Sequence, residues 1–399
     1  MSSFDETLLD GLDSPAVIDV ADPAGRLLVC ASAAAAARRG RTAVEESDLG
    51  ALVADGRPRS LLVAGAGVHA DAATLLIGLA GPGSPAPVVR LDATAGQLPG
   101  WAGVADVLAV VSSTGEEPGL VALAEQGARR GCRLLAVTPA GTPLADVVEG
   151  GHGSVVALPA AAGALDGPWL GLVPLVLAAE RLRLLSLPDS DVERAAERLE
   201  QVAHACRPAS ESFLNPAKEL AVGLADHVPV LWAEGPLALA AAGRAASQLG
   251  VVAGVPAVVS SVAEAVAGGV ALLDGPLGAA TGSRDRDPLP DVADEELDEF
   301  FADRDADVPM RLRAVLVVDA EAGSDAATEV RVTPATALAD AARARRLDVT
   351  ELAAEPGPPL ARLAGLVATL DHAVTYLALG LGEQPGAGVT VTELAARLR

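Results

Sequence analysis

The sequence predicts an α/β protein built as two tandem, doubly wound parallel-sheet domains with flanking helices. Three observations predict it. The chain has 399 residues, more than one hydrophobic core usually organises, so two units of about 200 residues each are expected. Short Val- and Leu-rich runs, each followed by a helical pattern, recur in two rounds along the chain, the signature of βαβ units in a parallel sheet. Hydrophobic residues make up 51% of the chain and aromatics only 2%, so the cores are aliphatic, as suits buried parallel strands under Ala/Leu helices. The division falls at 1–205 and 206–399.

Residues 1–58 hold an Ala-rich helical stretch at 31–39 and polar connections, and read as cover for the sheet. Strands follow at 60–64, 87–91, 107–111, 133–137 and 154–158, with helices at 71–79, 118–130 and 143–148. A helix through 169–185, despite Pro174, and another over 191–206 link the halves. In the second helix Val192, Ala195, Ala196, Leu199 and Val202 recur at the i, i+3, i+4 spacing of one buried face. The second round places helices at 216–224, 236–249 and 263–267 and strands at 228–232, 257–260, 270–274, 314–318 and 330–332. Residues 282–309, rich in Asp, Glu, Pro and Arg, read as a solvated acidic insertion with a short helix at 294–301, and helices at 360–380 and 391–398 close the chain.

The formal charge is −24 and basic residues form no stripe, which excludes nucleic acid and anionic membrane surfaces as partners. Apolar runs such as 169–179 fall short of the ~20 residues a membrane span needs, and the acidic start of the chain lacks the pattern of a signal peptide. Cys30, Cys132 and Cys206 stand far apart with no CxxC spacing, so neither a disulfide framework nor a metal site is expected, and the cysteines read as small buried residues in a reducing, cytoplasmic setting. Lys218 is the only lysine.

The strongest candidate site is the turn Ser112-Ser113-Thr114-Gly115, where an apolar strand ends in three hydroxyls and a glycine before a helix. Hydroxyls, free amides and the positive end of a helix dipole favour an anion such as phosphate, and ligands of open parallel sheets sit at these strand ends. An equally open reading is a capping box, because Ser113 with Glu116 and Thr114 with Glu117 both fit S/T-x-x-E. The paired glutamates would repel a dianion unless they point away. The turn Gly65-Ala66-Gly67 lacks the third glycine of a dinucleotide fingerprint, and the nearest acidic candidate for a ribose, Asp92, lies beyond the usual ~20-residue spacing. No cofactor is therefore expected. His69 follows a strand end within reach of a ligand; His372, beside Asp371 in a helix, fits either a packing or a catalytic role. G-x-S-x-G, H-E-x-x-H and a complete P-loop are absent.

Together these residues resemble the bifunctional phosphoglucose/phosphomannose isomerase family, which has two sugar-isomerase (SIS) domains and usually forms homodimers. Gly65-Ala-Gly67 and Ser112-Ser-Thr-Gly115 stand where that family has its first glycine-rich loop and its phosphate-binding Ser-Tyr-Ser-Gly turn. The segment 138–144 falls where it has Thr-Ser-Gly-Gly-x-Leu, and Asn215-Pro-Ala-Lys-Glu-Leu-Ala221 with Pro229-Val-Leu231 is similar to its Asn-x-Ala-Lys-x-Leu-Ala helix and Pro-Val-Ile strand. Arg244, Gln248, Val255-Pro-Ala257, the run 370–378 and Gln384-Pro385 continue the similarity.

The resemblance implies a hexose phosphate or related phosphosugar as ligand, a homodimer, and Lys218 and Arg244 as secondary charge partners. Departures from the family pattern fall on its chemistry. Where the family carries its proton-shuttling glutamate, this chain has Gly250-Val-Val-Ala-Gly254, the base position reading as Val251. The Asn-His-Asn-Glu segment falls near Ser261-Val-Ala-Glu264, keeping only the glutamate; Gly167-Pro-Trp169 lacks the expected arginine, and the family's C-terminal lysine falls near Ala395 or Ala396. Isomerisation through an enediol needs a base and usually an acid. The expectation is a phosphosugar-binding protein with weak or no turnover; the alternative is an isomerase with relocated groups, for which Glu264, His69 and His372 are the candidates.

Overall fold

The structure, a computed structural model, describes residues 4–159, 167–278, 311–319 and 333–382. The N-terminal segment folds into five helices, α1 (Glu6–Asp10), α2 (Pro15–Ala21), α3 (Arg26–Ala31), α4 (Ala33–Glu45) and α5 (Gly50–Val53). The first round of the sheet comprises β1 (Leu61–Gly65), α6 (Ala72–Ala80), β2 (Val88–Arg90), β3 (Val107–Val111), α7 (Pro118–Arg129), β4 (Arg133–Pro139), α8 (Pro143–Gly150) and β5 (Ser154–Leu158). Linking helices α9 (Trp169–Arg181) and α10 (Asp191–Ala205) lead to α11 (Pro216–Leu224), β6 (His227–Glu234), α12 (Pro236–Val252), β7 (Val258–Ser261) and α13 (Val262–Ala267). The described chain ends with β8 (Arg311–Val318), α14 (Pro334–Ala344), β9 (Val349–Ala353) and α15 (Pro359–Gly380).

Both sheets are parallel throughout, in the orders β2-β1-β3-β4-β5 and β7-β6-β8-β9. Numbered within its own round, the second sheet repeats the order of the first four strands of the first, so the two halves are structural repeats. Side chains alternate across each strand. Leu61, Val63, Val107, Ala109 and Val111 share a core with Leu231, Ala233, Val315 and Val317 of the second sheet and with α9, α10, α12 and α15. Leu62, Ala64, Leu108 and Val110 face the outer layer of α7 and α8, and Val230, Trp232, Ala314 and Leu316 face α13 and α14. One helical layer is thereby shared between the inner faces of the two sheets.

Helix α9 keeps its course past Pro174 because Gly40 of α4 lies opposite, where a side chain would strike Pro174 and Val173. It stops at Arg181, short of the expected 185, and Arg183 turns the chain with φ +58°. The expected strand at 270–274 is instead a 3₁₀ turn over Gly269–Asp274. It follows Gly268-Gly269 and buries only Leu273, too little apolar surface to hold a strand in the sheet. Helix α14 and edge strand β9, half-exposed and bearing Glu351, were not expected from the sequence. The strand at 330–332, the helices at 294–301 and 391–398 and the whole acidic insertion at 282–309 lie outside the described residues. Among the described residues α15 alone is long and apolar enough to cross a membrane, but 83% of its most apolar window is buried inside the protein, which makes it the central core helix.

Candidate functional site

The N-terminal sheet changes winding direction between β1 and β3, and the loops leaving these two strands meet there, as the switch-point rule requires of a ligand cleft. The Ala66 amide donates to Val111 O at 3.2 Å, tying the glycine loop to the end of β3. Gly67 has φ +57°, and a Cβ on Gly65 would collide with the His69 carbonyl, so both positions need glycine. The loop delivers His69, fully buried, to Ser113, with Nε2 to Oγ at 3.0 Å. Its Nδ1 makes no hydrogen bond of normal geometry and lies against Gly171 of α9. Burial first and the Arg244 charge second pull the imidazole pKa down to about 4.

The serine turn departs from the capping-box reading of the sequence. Helix α7 starts at Pro118 with Glu117 as its N-cap residue and no side-chain cap, so neither capping box forms. Ser112, fully buried, donates its hydroxyl proton to Glu117 Oε2 at 2.5 Å and accepts from the Gly115 amide at 2.6 Å and the Thr114 amide at 3.0 Å. Gly115 has φ +69°, and a Cβ there would meet Thr138 and Thr142. Thr138 Oγ1 is buried and without a hydrogen bond.

Next to His69 lies a cavity of about 60 Å³ between α3, α4, α12, α15 and the segments carrying Val68 and Gly167–Trp169. Its apolar wall includes Val29, Val68, Trp169 and Val252, and its polar wall Arg26, Cys30, Arg244, Gln248, Asp371 and Thr375. Arg244 is buried and fully engaged: Nε and Nη2 donate to Asp371 at 3.0 Å, and Nη1 to Asp71 at 3.3 Å. Asp71 also accepts from Gln248 at 3.4 Å, and burial raises its pKa. This network joins α6, α12 and α15, binding the two halves together. Burial pushes the Cys30 thiol up to about 12, which disfavours the thiolate.

The remaining sequence candidates go elsewhere. Lys218 is enclosed: its Nζ donates to Leu9 O at 2.5 Å, Ser210 O at 2.6 Å and Pro208 O at 2.7 Å, and stands 5.5 Å from the Tyr376 ring. An ammonium has three donors, so this one has none left for a ligand and acts as a clamp. Glu264 is exposed at the start of α13, completing a capping box with Ser261. His372 is buried, its Nδ1 donating to Ala368 O at 2.7 Å, with its pKa lowered by burial. From α12 it is Val252, not Val251, that faces the cavity, and Val251 is 64% exposed; neither offers a carboxylate. Sequence reasoning missed Arg26 and Asp71, and the roles of Glu117 as partner of Ser112 and of Asp371 as partner of Arg244. Asp371 was visible as the neighbour of His372, but nothing in the local sequence marks Arg26.

Residues 213–398 match the family model described as bacterial phospho-glucose isomerase C-terminal SIS domain. No curated protein sequence matches the chain significantly. Among solved structures, a hypothetical protein from Thermus thermophilus is similar at TM-score 0.63 and 16% identity, covering 98% of this chain and 94% of that one. Tagatose-6-phosphate ketose/aldose isomerase from Escherichia coli is similar at TM-score 0.60 and 12% identity, covering 92% and 94%. The C-terminal domain of glucosamine-fructose-6-phosphate aminotransferase from Francisella tularensis follows at TM-score 0.50 and 13% identity, covering 90% and 96%. At such identities the likeness carries the fold. The chain therefore has the two-sheet α/β architecture of these proteins, and residues 213–398 are similar in sequence to the SIS-domain model.

Proposed function

We propose that this chain is a phosphosugar-binding protein that holds its ligand in the cleft beside the β1/β3 switch point without isomerising it. The fold shared with E. coli tagatose-6-phosphate isomerase and the SIS match of residues 213–398 support the ligand class. The observation that carries the absence of turnover is electrostatic. An enediol route needs a base within reach of the substrate, and among the described residues lining the cavity no carboxylate or imidazole is free. Asp371 is held by Arg244, Cys30 is pushed up to about 12, and the adjoining His69 is pulled down to about 4. A cytoplasmic homodimer, divided at 1–205 and 206–399 and divergent from the bifunctional phosphoglucose/phosphomannose isomerases, completes the proposal.

One observation favours the alternative of a working isomerase: the His69–Ser113 pair sits at the cleft and shares a single hydrogen bond. Incubation of fructose 6-phosphate with the protein at high concentration separates the two. No glucose or mannose 6-phosphate above the uncatalysed rate is expected, together with saturable binding by calorimetry. Product formation abolished by His69→Asn would establish turnover and refute the binding-only reading.

A further inference from the structure

We infer that the anionic group of the ligand is held by Arg26, where the cavity opens to solvent, and not by the serine turn. The inference rests on the proposed function only for the sugar part of the ligand. The turn is already closed by an acid of its own chain. Ser112 gives its one proton to Glu117 and turns its lone pairs to the Thr114 and Gly115 amides, and Ser113 Oγ pairs with His69, so the two serine hydroxyls and two of the amides a phosphate would recruit are in use. A phosphate brought there would also face the Glu117 carboxylate at close range, and like charges a few ångströms apart repel strongly at a partly buried site.

Arg26 has the opposite character. It lines the cavity yet remains half-exposed, which puts it where the enclosed space meets solvent. Among the described residues it makes no hydrogen bond or ion pair. The other charges near it are spent. Arg244 and Asp371 neutralise each other across the same wall, with Asp71 behind them, and Asp22, the acid preceding α3, accepts through Oδ2 from the Leu27 amide at 2.7 Å while its Oδ1 is buried without a hydrogen bond. An unpaired guanidinium beside a cavity, in a chain of net charge −24, is an anion receptor, and its planar donor fork suits a phosphate or carboxylate bidentately.

The cavity sets the rest of the ligand. Its 60 Å³ holds roughly four water positions, so only a compact end of the molecule enters. Gln248 gives an amide proton to Asp71 and Thr375 gives its hydroxyl proton to Asp371 O at 2.8 Å, so both meet the ligand's hydroxyls as acceptors, and Val29, Val68, Trp169 and Val252 exclude water around its carbon face. The ligand class is a phosphomonoester whose phosphate stays at the opening on Arg26 while its compact sugar end points inward.

Calorimetric titration with fructose 6-phosphate, glucose 6-phosphate, glycerol 3-phosphate and inorganic phosphate tests this on Arg26→Gln, Arg26→Lys and Glu117→Gln, each checked for an unchanged melting temperature. Arg26→Gln is expected to weaken binding ten- to a hundredfold, the loss of one charge-assisted contact. Arg26→Lys is expected to restore part of it, and Glu117→Gln to change it less than twofold. If Glu117→Gln tightens phosphate binding tenfold or more while Arg26→Gln leaves it unchanged, the serine turn is the anion site and the inference is overturned. Arg26-dependent binding of glycerol 3-phosphate but of neither hexose phosphate would uphold Arg26 and refute the proposed sugar. No binding of any of the four probes overturns both.

Discussion

Replacing Lys218 by methionine tests whether the chain's only lysine is a structural clamp. Methionine fills much of the same volume but leaves Leu9 O, Pro208 O and Ser210 O, now at 2.5–2.7 Å from Nζ, without a donor. Hydrogen bonds to a charged group contribute ~1.5–3 kcal/mol each, so the gross loss is about 5–9 kcal/mol. Against this stands the relief of no longer burying an ammonium, several kcal/mol. A net destabilisation of about 3–5 kcal/mol is expected, the range for removing one partner of a buried charged cluster. Because Leu9 belongs to α1 and the other two carbonyls to the turn before α11, the damage has an address. Guanidinium denaturation reads the total, and amide exchange reads the release of residues 5–12 and 207–214. A variant within ~1 kcal/mol of the parent, with exchange in those segments unchanged, would show that the cage contributes nothing and that the lysine is kept for another reason.

Other outcomes follow from the same geometry. His69 has its pKa lowered from 6.5 to about 4 by burial; between those values the unfolded chain takes up a proton that the folded one refuses, so stability is intact above pH 6.5 and about 3 kcal/mol is lost as pH falls toward 4. In His69→Gln that share of the acid sensitivity disappears, and parallel stability–pH curves for the two proteins would contradict the assignment. Arg244→Met leaves Asp71 and Asp371 buried without their cation and is expected to cost about 3–5 kcal/mol, with Asp71→Asn recovering part of it in the double variant; additive losses would rule out a shared network. Gly115→Ala, forced to φ +69° against Thr138 and Thr142, is expected to cost at least ~1 kcal/mol and to raise amide exchange at 112–117. Glu264→Gln should leave ligand affinity as it is, since the carboxylate serves only its own helix start; a tenfold loss would bring α13 into the site.

The sequence displays what is periodic and local. Strands β1, β3, β4 and β6 were legible because they are nearly unbroken apolar runs, the mark of strands buried on both faces. The helices after β3, β4 and β6 begin at Pro118, Pro143 and Pro236, where proline suits the first turn. Strand β9 was not legible, because Val-Thr-Glu-Leu-Ala is half-exposed at an edge and reads like any polar connection. The run at 270–274 misled in the opposite direction, since an apolar stretch that short does not reveal whether a neighbouring strand exists to pair with it. The site followed the same division. The glycine loop and the serine turn were visible as strand ends, and their meeting at the switch point followed from topology. The partners of Ser112 were not visible, because S/T-x-x-E describes a helix start at Ser113 or Thr114, three or four residues before the Glu117 cap of α7. Arg26 was hidden altogether, being brought to the cavity by the packing of α3 on α15, where Cys30 meets Thr375 from 345 positions away.

The features that carry the family resemblance sort by physical role. Asn215 caps α11 through the Ala217 and Lys218 amides, Lys218 cages three carbonyls, Arg244 joins three helices of both halves, and Gly65 and Gly67 shape a loop no other residue fits. Each holds the scaffold, and removing any of them costs folding energy whether or not a ligand is ever bound. The positions where the chain departs from the pattern are those whose only use is chemistry: valines stand where α12 passes the cavity, and Gly167-Pro168-Trp169 brings an indole where a guanidinium is expected. Under the proposed binding-only function, a scaffold of this kind around a cleft whose acids and bases are paired or detuned has all that the ligand requires of it. The Arg26 assignment completes that logic, because a protein that only binds has no need to hold its anion where a proton must later be moved. Moving the anchor to the cavity opening leaves the old turn free to be closed by Glu117.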